Sequence, residues 1–396
     1  MILTTLEITA WAIALLWVVS TVVALTKLPG IPDVLDAKYG TKSAEPHAEA
    51  PLVAVIVPAR NEAADIEATL RSLLALEGVR LEIFAVDDRS TDATGAIMDR
   101  MAAEAAALGK NFTVLHVAEL PEGWMGKTHA MAFAAGRATA PWLLFTDGDV
   151  LFARDSLLRA LNFAESERAD HVVIFPTLIL KSFGERMMIA FFQGISALFS
   201  RFWRIPTEGT KESLGVGAFN LIRADVYRDV GGFEALRMEV LEDLRLGFEV
   251  KRRGYRQRVA FGRDLVRVRW VVGAFGMVRN ITKNIFAAFR FRVWMTLGAC
   301  AGLAVFCLGP FAALAGSWWM RGTTAVVLLM LLLLYRYYRQ FTGIAVWYAL
   351  TFPVAACLVL YAILRSMILT LVRGGVVWRG TLYPLAELRK FAGPLR

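Results

Sequence analysis

Cysteine and histidine are scarce in this chain, and their scarcity excludes several kinds of site. The three cysteines, Cys300, Cys307 and Cys357, all lie in the apolar C-terminal part, so the sequence has neither a disulfide framework nor zinc-ligand spacing. The four histidines are scattered, and we assign the role of catalytic base to none of them. No GxGxxG follows the first predicted strand and no GxxxxGK(S/T) occurs, which argues against a dinucleotide site or a P-loop.

Long hydrophobic runs, by contrast, are abundant. Hydrophobic residues make up 57% of the 396 residues, and the mean hydropathy of +0.50 is too high for an ordinary soluble protein. The charge-free stretch from Ile8 to Thr26 is long enough to cross a bilayer as a helix. It has no basic region before it and no clear cleavage site after it, unlike a signal peptide. We therefore predict a retained anchor over residues 1–28 and a linker over residues 29–50.

Apolar sequence returns near the C-terminus. Three blocks are present, Trp294–Trp319, Thr323–Tyr335 and Ile344–Leu364. They predict a transmembrane region over residues 293–372, with a break at Met320-Arg321-Gly322 between the first two blocks. If the basic tail, residues 373–396, lies on the same side of the membrane as residues 51–270, the number of crossings between them must be even. One of the three blocks is then expected to be re-entrant or interfacial.

Positive charge is concentrated beside these apolar segments. Residues 251–292 hold 12 Lys and Arg against Asp264 alone, whereas residues 1–250 hold more acidic than basic residues. The positive-inside bias and attraction to anionic lipid both favour the cytoplasmic face for such basic segments. A nucleic-acid partner is not expected, because the acidic part of the chain has no interleaved aromatic and basic surface.

Residues 51–270 have the alternating pattern of a compact α/β domain. Short apolar runs typical of strands buried on both faces occur at Leu52–Val57, Leu81–Val86, Phe112–Val117, Trp142–Thr146 and His171–Phe175. Helical periodicity occurs between most of them, at Ala63–Leu76, Thr91–Leu108, Lys127–Arg137 and Ser156–Arg168. The alternation predicts right-handed βαβ units around one sheet, which binds ligands at the carboxyl ends of its strands.

Acidic side chains cluster where three of these predicted strands end. The segments are Pro58-Ala59-Arg60-Asn61-Glu62, Asp87-Asp88-Arg89-Ser90-Thr91-Asp92 and Asp147-Gly148-Asp149. Like charges that converge on one crevice repel each other unless a cation or hydrogen-bond donors compensate. The third segment suits Mg²⁺ or Mn²⁺ shared with substrate phosphates, although Asp-Gly is also a frequent turn. Asp87 and Asp88 suit a nucleobase or ribose, and their alternative role is to cap the next helix.

Two further segments place charge at predicted helix starts. Gly126-Lys127 combines flexible backbone, an ammonium group and a helix N-terminus, which suits diphosphate oxygens, and its alternative is an ordinary lysine in a first helical turn. Glu242-Asp243 opens another predicted helix. Acidic residues there offset the helix dipole, so capping is the alternative to catalysis.

These motifs, together with Gly231-Gly232-Phe233, resemble in order and spacing those of family 2 glycosyltransferases with the GT-A fold. The resemblance covers about residues 51–270. It implies an α/β fold, a Rossmann-like mixed sheet with helices on both faces, joined to transmembrane helices towards both termini. It also implies contacts with a nucleotide-diphosphate sugar donor for Pro58, Arg60, Glu62, Asp87, Asp88, Lys127 and Asp147. Asp149 with Asp147 would bind Mg²⁺ or Mn²⁺, Asp243 would be the general base of an inverting displacement, and Glu242 would be its neighbour.

The same resemblance suggests the acceptor side of the site and the number of sugars transferred. Gly215, Gly217, Phe219, Arg269 and Trp270 would shape the acceptor side. Processive members of the family carry Gln-x-x-Arg-Trp, whereas this chain has Val266-Arg267-Val268-Arg269-Trp270 and lacks the Gln. We therefore predict transfer of a single hexose-type sugar rather than synthesis of a polysaccharide.

Two amphipathic segments bear on the acceptor. Gly184–Ile205 and residues 271–292 mix large apolar side chains with arginines, which favours interfacial helices over the alternative of core helices. We therefore predict a lipid acceptor. We also predict a multi-pass protein of the cell (inner) membrane with a cytoplasmic catalytic domain. The layout resembles bacterial glycosyltransferases associated with hopanoid and carotenoid biosynthesis. The alternatives are a polyprenyl-phosphate sugar synthase, a processive polysaccharide synthase, and a non-catalytic membrane scaffold that retains the fold.

Overall fold

A computed structural model describes residues 4–40 and 51–393, which form two units. The α/β unit contains Ile31–Ile179 and Arg204–Arg269. The helical unit contains residues 4–30, Leu180–Trp203 and Trp270–Ala392. Leu180–Trp203 and Trp270, which we predicted to lie in the α/β domain, therefore group with the apolar helices.

The α/β unit is built on one mixed sheet of eight strands. Their bounds are β1 Leu52–Ala59, β2 Arg80–Asp88, β3 Asn111–Val117, β4 Trp142–Phe145, β5 Val150–Phe152, β6 His171–Leu178, β7 Asn220–Arg223 and β8 Gln257–Val268. The order is β3-β2-β1-β4-β7-β6-β8-β5, with β3, β2, β1 and β4 parallel. β7 is antiparallel to both β4 and β6, and β5 is antiparallel to β8. The five predicted strands are all present, while β5, β7 and β8 are additions.

The α-helices of the described residues occur in both units. Their bounds are α1 Thr5–Lys27, α2 Ile66–Leu74, α3 Thr94–Ala107, α4 Gly126–Ala135, α5 Ser156–Ser166, α6 Phe183–Phe199, α7 Ala224–Asp229, α8 Gly232–Ala235, α9 Glu242–Arg252, α10 Gly273–Ala288, α11 Val293–Ala312, α12 Trp318–Thr342, α13 Phe352–Val372 and α14 Leu385–Phe391. The four helices predicted between strands are α2 to α5, and each is shorter than its apolar pattern.

The core explains why β1 is apolar throughout. Val53, Val55 and Val57 point into one hydrophobic cluster with α2, α3 and α5, whereas Ala54 and Ile56 point into another with α4. Successive side chains of a strand face opposite sides, so a strand covered on both faces needs apolar residues at every position. The predicted linker is partly structured as well, because the Val34 amide donates to a β8 carbonyl at 3.0 Å. Its second part, residues 41–50, lies outside the described residues.

Four helical segments of the helical unit are long and apolar enough to cross a membrane, namely Thr5–Gly30, Val293–Ala315, Trp318–Thr342 and Val346–Val372. The predicted break at Met320-Arg321-Gly322 is wrong, since these residues lie inside α12. The chain turns instead at Gly316-Ser317, and the Ser317 hydroxyl lies 2.6 Å from a carboxylate oxygen of Glu7. An arginine in a first helical turn does not end a helix, whereas a glycine outside it readily does.

The described part of the basic tail, residues 373–393, contains a β-hairpin and a helix. Residues Gly375–Trp378 (β9) pair antiparallel with Thr381–Pro384 (β10), and α14 follows directly. Arg389 of α14 donates to the Phe291 carbonyl at 3.2 Å, just before α11 begins. The chain therefore enters and leaves the α11–α13 region at the same end of the helical unit.

Candidate active site

The polar segments predicted at strand ends begin slightly earlier than expected, inside the strands. Pro58 is buried in β1 opposite Val86 of β2, and Asp87 is still part of β2. Arg60 and Glu62 follow β1 directly and are half-buried. Because β1, β2 and β4 are adjacent and parallel, their carboxyl ends share one edge of the sheet. The sheet thus brings the three acidic segments to one side of the unit.

Side chains tie the loop after β1 to the loop after β2. Asn61, in the left-handed region with φ 56°, accepts from the Thr91 amide at 2.8 Å, and its own amide donates to Ser90 Oγ at 3.1 Å. The Glu62 amide donates to Thr94 Oγ1 at 2.8 Å. These bonds hold the two loops together ahead of α2 and α3, which begin at Ile66 and Thr94, later than their apolar patterns predict.

Asp87 stabilises its own loop instead of capping α3. Its Oδ1 accepts from the Ser90 amide at 3.1 Å, and its Oδ2 lies 3.2 Å from Nδ1 of His116. The residue that caps α3 is Ala93, without a side-chain hydrogen bond, so the helix-cap alternative is wrong. Hydrogen bonding to Asp99, and then to Asp87, raises the pKa of His116.

Asp88 lies at a close approach between β2 and α4. It forms an ion pair with Arg89 at 2.8 Å, and a side chain at Gly126 would collide with its carboxylate. His129 is on the same side, and its ring meets Trp124 edge-on at 5.4 Å. Burial lowers the pKa of His129 while the charge of Asp88 opposes this. The group combines an acid, a neutral imidazole and an aromatic ring, which suits a nucleobase.

Lys127 joins two motifs that are far apart in sequence. It lies in the first turn of α4, and its Nζ is 2.7 Å from Asp147 Oδ1 and 2.7 Å from Glu242 Oε1. Burial would lower the pKa of Lys127, but the charges of Asp147, Glu242 and Asp243 outweigh it and raise the pKa well above its usual value. Lys127 is therefore a fixed cation between the Asp147-Gly148-Asp149 segment and the start of α9.

Asp243 has the properties of a base poised near neutral pH. Burial and the charge of Glu242 raise its pKa to about 7, although Lys127 opposes the shift. Its Oδ1 accepts from the Leu244 amide at 2.7 Å, which orients the carboxylate. A group with this pKa accepts a proton without remaining fully protonated beforehand.

Asp149 lies near two other carboxylates, those of Asp147 and Glu62, and all three offer only oxygen donors. Burial, and then the charges of Asp147 and Glu62, raise the pKa of Asp149 to about 7. A divalent cation would relieve this repulsion, and Mg²⁺ is commonly held by one or two carboxylates together with substrate phosphates. Among residues 4–40 and 51–393, no three His, Cys, Asp or Glu side chains already form a metal-binding group. The residues present therefore fit a cation that also requires oxygens from a substrate.

Two glycines allow the segment after Leu214 to approach the acidic residues. A Cβ at Gly217 would lie 2.5 Å from Asp147 Oδ2, and one at Gly215 would collide with the backbone carbonyl of Asp243. Glycine is the residue that permits such close backbone approach. Both glycines thus lie beside the acidic groups, and their role on the acceptor side stays a prediction.

A buried polar network, which was not predicted, holds this segment. His171 pairs with the Asn220 side chain through Nε2, and its Nδ1 lies 2.7 Å from Gln257 Nε2. Gln257 also bonds both backbone groups of Leu214, accepting from its amide at 2.9 Å and donating to its carbonyl at 2.8 Å. Burial lowers the pKa of His171 to about 4, so the imidazole is neutral. The network fixes the start of the Gly215 segment from three different strands.

Other predicted acceptor residues are not in this cluster. Phe219 is fully buried in the core, with its ring 6.2 Å from that of Phe152, so only its backbone can shape the cleft. Arg269 ends the α/β unit, and Trp270 belongs to the helical unit, where its ring is 5.1 Å from Phe192. Their acceptor roles stay predictions.

A narrow cleft connects the residues that the structure does bring together. Lys127, Asp147, Gly217, Glu242 and Asp243 line it. Its walls also include Met131, Phe145, Thr146, Asn220 and Phe233. Phe233 belongs to the Gly231-Gly232-Phe233 motif, for which no role was predicted. The other four wall residues carry no sequence signal beyond their place near predicted residues.

Comparison with known proteins identifies a similar family and similar folds. The model of the family described as Glycosyl transferase family 2 matches residues 54–231. A 4,4'-diaponeurosporenoate glycosyltransferase of Staphylococcus haemolyticus is 25% identical over 199 residues, covering 49% of this chain and 50% of that protein. The chain thus spans about half the length of the curated relative it matches.

One solved structure shows a similar fold. Mannosyltransferase PcManGT from Pyrobaculum calidifontis, in complex with GDP-Man and Mn²⁺, has a TM-score of 0.55 and 20% identity, over 89% of this chain and 99% of that one. S. aureus TarS 1–349, in complex with UDP-GlcNAc, has a TM-score of 0.40 and 18% identity, over 73% of each chain. The predicted fold class, GT-A with apolar helices towards both termini, is confirmed.

Proposed function

We propose that this chain, whose residues 54–231 form a Glycosyl transferase family 2 domain, is a membrane-embedded inverting glycosyltransferase that transfers one sugar from a nucleotide-diphosphate sugar to a lipid acceptor. The observation that carries the proposal is the position of Lys127, 2.7 Å from both Asp147 and Glu242. This contact unites the donor-binding motif and the base motif in one cleft.

The donor end lies at the carboxyl edge of the sheet. Asp87 and Asp88 are oriented by Ser90, His116 and Arg89, so their carboxylates are prepared for a nucleobase or ribose. The complex of PcManGT with GDP-Man supports a nucleotide sugar as the class of donor. Lys127 would stabilise the negative charge that develops on the departing diphosphate.

Asp149 and Asp147 would hold Mg²⁺ or Mn²⁺, and the cation would supply positive charge at the leaving phosphates. The Mn²⁺ in the PcManGT complex supports this choice. Gly148 keeps the loop narrow, because a side chain there would collide with the Glu62 carboxylate.

Asp243 would accept the proton of the acceptor hydroxyl as its oxygen attacks the anomeric carbon. The new glycosidic bond forms as the bond to the diphosphate breaks, on the opposite face of the sugar, so the configuration inverts. Glu242 would keep Lys127 in place and, through its own charge, keep the pKa of Asp243 raised.

A lipid acceptor and a membrane location fit the helical unit. Four candidate spans are present, and the curated relative is named for a carotenoid acid. The contact between Arg389 and Phe291 returns the basic tail to the end where α11 begins. That return supports an even number of crossings after the catalytic domain, with the domain and the tail both cytoplasmic.

The test is sugar transfer by the purified full chain with Mn²⁺, a panel of nucleotide sugars and a lipid extract. Asp149→Asn and Asp243→Asn should each lower the rate by about 10²-fold or more, the usual size of a lost catalytic group. Asp264→Asn is the matched control, since Asp264 is an exposed β8 residue at φ 56° that Asn tolerates. Transfer that survives both substitutions would refute the proposal. A phosphorylated lipid acceptor with a tolerated Asp243→Asn would instead favour a polyprenyl-phosphate sugar synthase.

A further inference from the structure

A cavity of about 330 Å³ lies in the helical unit, where α10 ends, α11 begins and α14 packs. Three arginines line it, Arg290, Arg292 and Arg389. Trp294 lies beside them and is 69% exposed. A strongly cationic cavity at the start of a candidate membrane span is thus separate from the cleft described above.

In the part of the chain that the structure describes, these arginines have no acidic partner. Within residues 4–40 and 51–393, no carboxylate lies within ion-pair distance of any of the three, and the nearest acid in sequence, Glu387, pairs with Lys390 at 2.8 Å. Like charges that face one cavity repel each other unless an anion compensates. Arg292 and Arg389 are exposed and Arg290 is half-buried, so an anion in the cavity can reach all three guanidinium groups and offset their mutual repulsion.

The backbone of the turn that carries Arg290 and Arg292 is held by local contacts. Arg290 and Phe291 both lie in the left-handed region, with φ of 55° and 53°. Two consecutive non-glycine residues in that region are uncommon, and such strain persists where surrounding contacts hold it. Two hydrogen bonds provide such contacts. The Arg290 amide donates to the Ala287 carbonyl of α10 at 2.7 Å, and the Arg389 side chain donates to the Phe291 carbonyl.

The position of the cavity indicates where its ligand comes from. Arg292 immediately precedes α11, which is one of the candidate spans, and Trp294 is in its first turn. Tryptophan and arginine at the end of a span lie at the level of lipid headgroups, and basic pockets at that level bind their phosphates. The exposed indole beside the cavity offers an apolar surface to the rest of a lipid.

We propose that Arg290, Arg292 and Arg389 bind the phosphate of an anionic glycerophospholipid. The forked guanidinium groups suit a phosphate. Their combined positive charge favours a lipid with a net negative charge over a zwitterionic lipid. The site is independent of sugar transfer, so it holds or fails separately from the proposed enzymatic function.

The test is native mass spectrometry of the full chain released from nanodiscs of equal phosphatidylglycerol and phosphatidylcholine. The wild type should retain phosphatidylglycerol in clear preference. The triple variant R290Q/R292Q/R389Q should retain at least about tenfold less, because charged contacts to phosphate are lost. The matched control R336Q/R339Q/R373Q removes the same amount of charge from three other arginines of the helical unit, all exposed. It should retain as much phosphatidylglycerol as the wild type.

Equal retention by the wild type and the cavity variant, or equal loss in the control, would overturn the proposal. Excess inorganic phosphate distinguishes the other source of the same chemistry. If it displaces the lipid at concentrations similar to the lipid's own, the site binds free phosphate and the lipid assignment is wrong. Should the triple variant fold poorly, Arg292→Gln alone keeps the test, since it removes one guanidinium and leaves the Arg389 bond to Phe291 intact.

Discussion

The buried imidazole of His171 should make the α/β unit sensitive to mild acid. His171 is fully buried between Asn220 and Gln257, and burial lowers its pKa to about 4 from the ordinary 6.5. In the unfolded chain the same imidazole regains an ordinary pKa. Between these two values the unfolded state binds a proton that the folded state does not.

The sign and size of the effect follow from that difference. Stability increases with pH wherever the unfolded state binds more protons, so it must fall as the pH falls from about 6.5 to about 4. Each unit of pKa difference corresponds to about 1.4 kcal/mol, so the free energy of unfolding should drop by roughly 3 kcal/mol across this window. Protonation would also break the bond that Gln257 donates to Nδ1 of His171.

The measurement compares the wild type with His171→Gln. Glutamine keeps one donor and one acceptor but does not titrate in this range. The free energy of unfolding of the α/β unit, measured by pulse proteolysis of the full chain in detergent, is followed from about pH 7 to about pH 4.5. Carboxylates such as Asp149 titrate in both proteins, so the difference between the two curves isolates His171.

The difference curve decides the question. The wild type should lose stability more steeply than His171→Gln below about pH 6.5, and the two should differ least in their slopes near pH 7. Parallel curves over the whole range would show that His171 is not the titrating group, and would refute the reasoning from its burial.

Three further predictions concern the site. Gly217→Ala should lower the transfer rate by roughly tenfold or more with little loss of stability, because the new Cβ would lie 2.5 Å from Asp147 Oδ2. Steady-state kinetics measure the rate, and thermal unfolding measures the stability. Lys127→Gln should cost about 10²-fold in rate, whereas the exposed Lys211→Gln should change it less than twofold, and equal effects would contradict the assigned role. Asn61→Ala should destabilise the unit by about 2 kcal/mol and Asn61→Gly by less. Both substitutions lose the hydrogen bond to Thr91, but glycine tolerates φ 56°. Equal losses of stability in urea unfolding would show that the backbone at Asn61 is not strained.

Two of the strands that the sequence predicted, β1 and β4, have both faces buried. β1 and β4 are continuous apolar runs that stop at polar residues, so their positions depend on local pattern alone. β8 was missed because Arg258, Arg263 and Arg267 interrupt its apolar residues. β7 was missed because only two of its four residues, Leu221 and Ile222, are apolar, and its antiparallel insertion between β4 and β6 depends on partners distant in sequence.

Among the candidate site residues, the acidic motifs and Lys127 were found from the sequence, but the contacts between them were not. A carboxylate at a strand end or in a first helical turn is visible locally, as with Asp147 and Asp243. Phe219 was expected to face the acceptor, yet it is fully buried in the core, because the face that a residue presents after a turn depends on the fold around it. The arginine cavity of the helical unit is likewise built from α14 and the turn before α11.

The sequence by itself determined the class of fold, the apolar helices and the acidic residues at the sheet edge, since each follows from periodicity or composition over a few neighbouring residues. Only the tertiary structure decided that Lys127 lies between Asp147 and Glu242, and that His171, Asn220 and Gln257 share one buried network. Hydrogen bonds and charge pairs act over a few ångströms in space. Residues distant along the chain therefore acquire these partners only when the sheet has assembled.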